Sequence, residues 1–150
     1  HRDLHSFPTR RSSDLDRAVD GGKAQFVARH QYFRTVNNSL VTCIFASVPA
    51  SELVELLNAA AGFDFDLEDM IRCGQRAWNL KRLINLRLGW TRAMEKLPPL
   101  LLQSLPGGGQ EGHVPDLELM LREYYQAAGW DLTTGRPLPE TLRQLGIEAR

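Results

Sequence analysis

Residues 66–89 read DLEDMIRCGQRAWNLKRLINLRLG and determine how the rest of the chain is arranged. Asp66 can cap a helix together with Asp69, and Gly89 is a typical helix terminator. The polar side chains fall on one side: Glu68, Arg72, Gln75, Arg76, Asn79 and Arg82. The apolar side chains form one wide stripe: Leu67, Met70, Ile71, Ala77, Trp78, Leu80, Leu83, Ile84 and Leu88. The sequence therefore predicts a central helix over residues 67–88 that buries Trp78 and Ile84 against neighbours on more than one side.

A shorter helical pattern and a non-helical segment precede the central helix. Residues 23–36 carry a stripe at three- to four-residue spacing: Phe26, Val27, His30 and Phe33. We expect His30 to pack at the edge of the core, since a histidine on an apolar stripe is more often a packing residue than a ligand. Residues 37–39, NNS, are expected to stop the helix because their side chains compete for backbone hydrogen bonds. Residues 40–45, LVTCIF, then read as a short buried connector that contains Cys43.

Three more helices are predicted, over residues 50–61, 117–128 and 139–145. Their boundary residues are Pro49 and Gly62, Asp116 and Gly129, and Pro139 and Gly146. The inner face of the first is predicted to be Leu53, Leu56, Leu57 and Ala60. Residues 90–112 are irregular and rich in proline and glycine, and no segment shows a sustained period-two pattern. The predicted fold class is all-α, an irregular bundle of about five helices with long loops.

Composition excludes several classes of protein. The chain has 18 basic and 18 acidic side chains, so it has no charge excess suited to nucleic acid or to a membrane surface, with or without residues 1–15. It contains no run of about 18 apolar residues, so no membrane span is predicted. Cys43 and Cys73 are too few for a disulfide framework and are typical of a reducing cytoplasm. Cys73 lies among polar residues, and we interpret it as incidental.

The first residues of the chain have an unusual sequence. Residues 1–15 read HRDLHSFPTRRSSDL and resemble, residue for residue, one translated frame of a common short-read sequencing adapter. The segment lacks helical or strand periodicity and is rich in arginine, serine and proline. We expect a non-native, adapter-derived tail that packs against nothing and is excluded from fold reasoning. Residues 16–150 would then be one helical domain, truncated at its N-terminus.

Four ordered blocks of the sequence share patterns with one enzyme family. They are residues 75–92 (QRAWNLKRLINLRLGWTR), Leu97-Pro98, residues 117–130 (LELMLREYYQAAGW) and residues 135–148 (GRPLPETLRQLGIE). The shared patterns are W-N-L-x-R-L-x-N-x-R-x-G, M-L-x-E-Y-Y and G-x-P-x-x-x-x-L-x-x-L-G. In these blocks the chain resembles the C-terminal end of the tungsten-containing aldehyde:ferredoxin oxidoreductases. The resemblance covers nearly all of residues 23–148 and implies the C-terminal helical domain of a larger enzyme.

The resemblance implies a role for residues 38–43. In the family a D-x-x-G-L-C segment lies just before the C-terminal helices. Cys43 matches its cysteine, the fourth ligand of a four-iron four-sulfur cluster. Asn38 matches its aspartate, which contacts a tungsten bis-molybdopterin cofactor, and an uncharged amide can still hydrogen-bond a pterin ring. Here Val41 and Thr42 replace the glycine and leucine.

The resemblance also implies the reaction and the partners. The parent enzyme would oxidise an aldehyde to a carboxylic acid, with ferredoxin as electron acceptor. The other three cluster ligands, in a C-x-x-C-x-x-x-C motif, and the catalytic residues would lie upstream, so no catalytic residue is assigned here and this part alone is expected to be inactive. The implied partners are ferredoxin, the missing N-terminal domains of the same chain and a small-molecule aldehyde, with a homodimer as an option.

Two alternatives are left open by the sequence. The first keeps the fold and changes the substrate: a subunit of a tungsten-containing aromatic-thioester reductase. The second belongs to another class: a stand-alone helical interaction module in which Cys43 is only a small core residue.

Overall fold

The structure, a computed structural model, describes residues 15, 16, 18–46 and 48–148. These residues form five α-helices joined by turns and loops. The helices are α1 (Ala24–Ser39), α2 (Ala50–Ala61), α3 (Leu67–Arg87), α4 (Leu117–Ala128) and α5 (Pro139–Gln144). Short 3-10 turns occur at Ile44–Ala46, Arg92–Met94 and Pro99–Leu102. These ranges contain no β-strand, only isolated bridges. The all-α prediction is confirmed, whereas the prediction for residues 1–14 lies outside the described residues.

Local signals placed most helix ends correctly. Asp66 accepts a hydrogen bond of 2.8 Å from the backbone N–H of Asp69, and Asp69 reciprocates at 3.2 Å, so the predicted capping box is present. Gly62 and Gly129 end their helices in the left-handed conformation, with φ of 70° and 69°. Asp116 caps α4 through a 3.0 Å bond from Leu119 N. The predicted bounds of α2 and α4 are therefore confirmed.

Helices α1 and α3 cross at very close range, and this contact fixes the main core. A Cβ atom added to Gly74 would lie 2.1 Å from the carbonyl oxygen of Tyr32, so the two backbones meet where only a glycine fits. The core around this crossing consists of Ala28, Tyr32, Val36, Leu53, Val54, Met70 and Ile71. Two smaller clusters lie beside it: Tyr125, Ala128 and Trp130, and Leu142, Leu145 and Ile147.

The close crossing rotates α1 away from its predicted face. The predicted stripe was only partly right: Phe33 packs against the core, whereas Val27 is 40% exposed and His30 is exposed and stacked on Phe26. The buried face is instead Ala28, Tyr32, Thr35, Val36 and Asn37. A small residue at position 28 suits an approach this close, while its neighbour Val27 lies on the outer side.

The C-terminal half of α3 also differs from the prediction. Trp78 is only half-buried, while Ile84 is 55% exposed and Leu88 81% exposed. Asn79 and Arg82, predicted on the polar side, are buried at 0% and 7% exposure. They are buried because each finds hydrogen-bond partners on distant segments, and the helix turns that side inward.

The inner face of α2 is only partly as predicted. Leu53 is buried, but Leu56 is 59% exposed and Ala60 is exposed, while Val54 is buried in their place.

No helix in the described part of the chain is both long and apolar enough to cross a membrane.

Candidate metal and cofactor site

The loop that carries the predicted site begins at the end of α1. The prediction that residues 37–39 stop the helix was wrong, because α1 continues to Ser39. Asn37 Nδ2 donates a 3.1 Å hydrogen bond to Phe33 O, and Ser39 Oγ donates one of 2.9 Å to Thr35 O. These side chains bond one turn back along the helix instead of competing with it. The helix therefore delivers residues 37 and 38 directly to the loop.

A short clamp ties the loop back to the helix. The backbone N–H of Thr42 donates to Asn37 O at 3.2 Å. The Thr42 hydroxyl lies 3.0 Å from both Asn37 O and Asn37 Oδ1. Asn37 is buried at 8% exposure, and the sequence had not singled it out. We call this set of hydrogen bonds the Asn37–Thr42 clamp.

Val41, inside the clamp, has an unusual backbone conformation. Its φ is 57°, which makes it the one non-glycine residue at positive φ in the described ranges. The left-handed conformation disfavours residues with a Cβ, and β-branched residues most of all. The side chain gains no burial in return, since it is 89% exposed. The turn at Val41 reverses the chain ahead of Cys43.

The predicted ligand lies on the surface. Cys43 is exposed and has no disulfide partner. The same holds for Cys73 on α3. The Cys43 carbonyl accepts a 3.0 Å bond from Ala46 N, which closes the 3-10 turn Ile44–Ala46. The thiol therefore sits between the clamp and a short helical turn, with its own side chain accessible.

The prediction of a buried connector at residues 40–45 was wrong for this structure. Leu40 is 39%, Val41 89% and Phe45 88% exposed. Asn38 is also exposed, and no hydrogen bond from its side-chain amide to the described residues is present. The segment is apolar, yet within the described part of the chain nothing covers these side chains.

The loop fits one ligand position of a metal cluster rather than a complete site. Among the described residues, no three His, Cys, Asp or Glu side chains form a group that could hold a metal ion. A four-iron four-sulfur cluster takes four thiolates, and the chain has two cysteines in all. An exposed thiol on an anchored loop fits the part of a single such ligand, and the free amide of Asn38 fits a hydrogen-bonding contact to a heterocycle.

A second polar cluster holds the C-terminal half together. Arg82 donates to Gly135 O at 2.8 Å, to Glu95 at 2.5 Å and to Tyr125 Oη at 3.1 Å, and its guanidinium lies 4.6 Å from the ring centroid of Trp130. Tyr125 also donates a hydrogen bond to Glu95. Burial, followed by the hydrogen bond to Glu95, raises the pKa of Tyr125 to about 12. The cluster is fully partnered and structural in character.

The fold and the loop define a helical domain that presents one cysteine, next to a free amide, on a fixed loop at a helix end. A family model described as aldehyde ferredoxin oxidoreductase, domains 2 and 3, matches residues 2–147. The chain therefore belongs to the aldehyde ferredoxin oxidoreductase family. The match includes most of residues 1–15, and the adapter origin of that segment stays a prediction.

Curated relatives are similar over most of this chain. The tungsten-containing aldehyde ferredoxin oxidoreductase of Pyrococcus horikoshii is 36% identical over 134 residues, covering 87% of this chain and 22% of the relative. That of Pyrococcus abyssi gives the same values. That of Thermococcus kodakarensis is 38% identical over 109 residues, covering 70% of this chain and 18% of the relative. The chain thus spans about a fifth of the length of these relatives.

Proposed function

We propose that this chain is the C-terminal helical domain of a tungsten-containing aldehyde:ferredoxin oxidoreductase, which oxidises an aldehyde to a carboxylic acid in the cytoplasm. The observation that carries the proposal is the exposed Cys43 thiol on its anchored loop. Family membership and the names of the relatives support the reaction. The domain would comprise residues 16–150, with residues 1–15 foreign to it.

Cys43 would be the fourth thiolate ligand of a four-iron four-sulfur cluster. When bound, the cluster supplies one-electron transfer towards ferredoxin. The role of this chain would be to present the Cys43 thiolate at a fixed place. Three further thiolates, in a C-x-x-C-x-x-x-C motif, would come from upstream domains of the same chain, since this sequence does not contain that motif.

Asn38 would contact the tungsten bis-molybdopterin cofactor. Its amide has both donors and an acceptor, so it can pair with a pterin edge without a charge of its own. Its exposure and its lack of a partner among the described residues leave the amide available. Because Asn38 directly follows Asn37 and Cys43 directly follows Thr42, the two ends of the clamp, both contacts would be set by one anchored loop.

The apolar surface of the loop supports a position at a domain interface. Val41 and Phe45 each expose more than four-fifths of their surface, at 89% and 88%. Exposed apolar side chains grouped on one short loop are typical of a surface that meets another part of a protein. The missing N-terminal domains would supply that surface, together with the catalytic residues.

Activity of the full-length enzyme tests the proposed reaction. We expect aldehyde-dependent reduction of ferredoxin by the unmodified enzyme, and a large loss of it in Cys43→Ser. Cys73→Ser is the matched control, because Cys73 is also exposed but lies on α3, away from the loop. Unmodified enzyme that fails to reduce ferredoxin with any aldehyde, while reducing an aromatic thioester, would overturn the proposed reaction.

A further inference from the structure

We propose that Asn37 and Thr42 are positioning residues that hold the Cys43 thiol in the geometry of a cluster ligand. The inference rests on the proposed function, because it takes Cys43 to be a ligand. It assigns a role to two residues that the sequence patterns left without one. Neither would touch the cluster, and each would act through the backbone of the loop.

The hydrogen bonds of Thr42 carry the first step. A threonine hydroxyl has one proton, and here both acceptors within reach, the backbone oxygen and the side-chain oxygen, belong to Asn37. The Thr42 N–H points at the same backbone oxygen, at 3.2 Å. Within the described part of the chain, the hydrogen bonds that Thr42 donates all go to a single residue of α1.

Asn37 carries the second step, because it is itself buried and hydrogen-bonded within α1. It is 8% exposed, and its amide nitrogen bonds the carbonyl of Phe33 at 3.1 Å. Its side-chain oxygen is left free to receive Thr42. Both the nitrogen and the oxygen of this buried amide are hydrogen-bonded, so its position is fixed relative to α1. The loop is thereby restrained at Thr42.

Val41 carries the third step, because its conformation needs support. A β-branched residue at a φ of 57° is disfavoured by its own backbone, and an exposed side chain offers no compensating packing. The clamp spans this residue, from Asn37 to Thr42, and stabilises the strained turn. Without the clamp Val41 would relax towards a negative φ, and the next residue but one, Cys43, would move.

A displaced thiolate has measurable consequences. Partners that orient a metal ligand are worth about 10- to 100-fold in metal affinity. A looser loop would also admit water, which stabilises the reduced cluster because that form carries the greater negative charge. We therefore expect faster loss of iron and a higher reduction potential when the clamp is broken.

The test compares four variants of the full-length enzyme: Thr42→Val, Thr42→Ser, Ser39→Ala and Cys43→Ser. Thr42→Val removes the hydroxyl at constant shape, and Thr42→Ser restores it. Ser39→Ala is the matched control, since it removes a hydroxyl bond to α1 outside the clamp. We expect Thr42→Val to lose iron to a chelator about tenfold faster and to raise the cluster potential, with Thr42→Ser and Ser39→Ala unchanged.

A second variant keeps the test sharp if Thr42→Val folds poorly. Val41→Gly removes the strain that the clamp opposes, so Thr42→Val should do less harm to iron retention in the Val41→Gly background. Equal iron loss and equal potential in Thr42→Val and Ser39→Ala, with the cluster lost in Cys43→Ser, would overturn the clamp alone. An intact cluster in Cys43→Ser would overturn the ligand assignment as well.

Discussion

The indole nitrogen of Trp130 donates a 2.8 Å hydrogen bond to the side-chain oxygen of Asn79, in the interior of the domain. Asn79 has no exposed surface, and its amide nitrogen bonds the carbonyl of Gln75 at 2.9 Å. This pair explains why α3 turns a polar residue inward: both ends of the amide are satisfied, and the indole N–H of Trp130 gains its partner.

Asn79→Ala should destabilise the domain markedly. The change leaves the Trp130 N–H buried without an acceptor and opens a small cavity, so we expect the free energy of unfolding to fall by about 2–3 kcal/mol. Chemical denaturation measures it. Asn85→Ala, at an exposed position of the same helix, is the control and should change stability by less than about 0.5 kcal/mol. Equal effects of the two would show that Asn79 is not held as described.

The buried ion pair between Arg82 and Glu95 should matter far more than an exposed one. Their side chains are 7% and 14% exposed, so Arg82→Met leaves the Glu95 carboxylate buried without its cation. We expect a loss of about 3–5 kcal/mol. The exposed pair Arg92–Glu118, at 2.6 Å, is the comparison: Glu118→Gln should cost about 0–1 kcal/mol. An Arg82→Met variant with an unchanged free energy of unfolding would contradict the structural role of this cluster.

Gly74→Ala should destabilise the protein although alanine is the better helix former. Alanine favours a helix over glycine by about 1 kcal/mol. Here its Cβ would lie 2.1 Å from the carbonyl oxygen of Tyr32, which forces α1 and α3 apart. We expect a net loss of about 3 kcal/mol in unfolding experiments. Cys73→Ala, one position earlier and exposed, should be neutral or slightly stabilising, and a stabilising Gly74→Ala would refute the close crossing.

The three tyrosines should make stability fall at high pH. Burial raises the pKa of Tyr32 and of Tyr125 to about 12 each, and it raises that of Tyr124 as well. The unfolded chain would lose these protons near pH 10, so deprotonation favours unfolding. The free energy of unfolding should keep the full contribution of these tyrosines below about pH 10, and it should decline as the pH rises towards about 12.

Phenolate absorbance against pH checks the tyrosine prediction. In the folded protein we expect the phenolate absorbance to appear only at a pH well above the ordinary pKa of tyrosine, near 10. Tyr125→Phe should remove one of these high-pH titration steps. A full phenolate signal near pH 10 with the protein still folded would contradict the burial of these hydroxyls.

The sequence predicted well those features that depend on neighbours along the chain. Asp66, Gly62 and Gly129 act on the backbone within one turn, and the helix ends they predicted are present. The apolar run at residues 40–45, by contrast, predicted a buried connector, whereas Cys43 lies on the surface.

The helix faces could not be predicted in the same way. Asn79 and Arg82 look like surface residues until Trp130 and Gly135, some fifty positions away, supply their partners. Similarly, the sequence pattern of α1 does not reveal that α3 approaches it closely at Gly74. At this close crossing Ala28 is buried and Val27 is exposed. Side-chain periodicity ranks residues by polarity, whereas burial follows from partners that only the tertiary structure brings together.

The Asn37–Thr42 clamp was missed for a related reason. Asn37 and Asn38 are adjacent and identical, and the family pattern drew attention to Asn38. Only the continuation of α1 to Ser39 separates them, burying Asn37 and exposing Asn38. The available signal was an asparagine five positions before a threonine, since both side chains can hydrogen-bond nearby backbone and side-chain groups.

The iron content of the full-length Cys43→Ser enzyme, with the paramagnetic-resonance signal of its reduced cluster, tests the central claim most directly. A serine oxygen is a harder and poorer iron ligand than a thiolate, so we predict loss or damage of the cluster signal and a fall in iron per chain. Cys73→Ser should retain both at the level of the unmodified enzyme. Full iron content and an unchanged signal in Cys43→Ser would contradict the account.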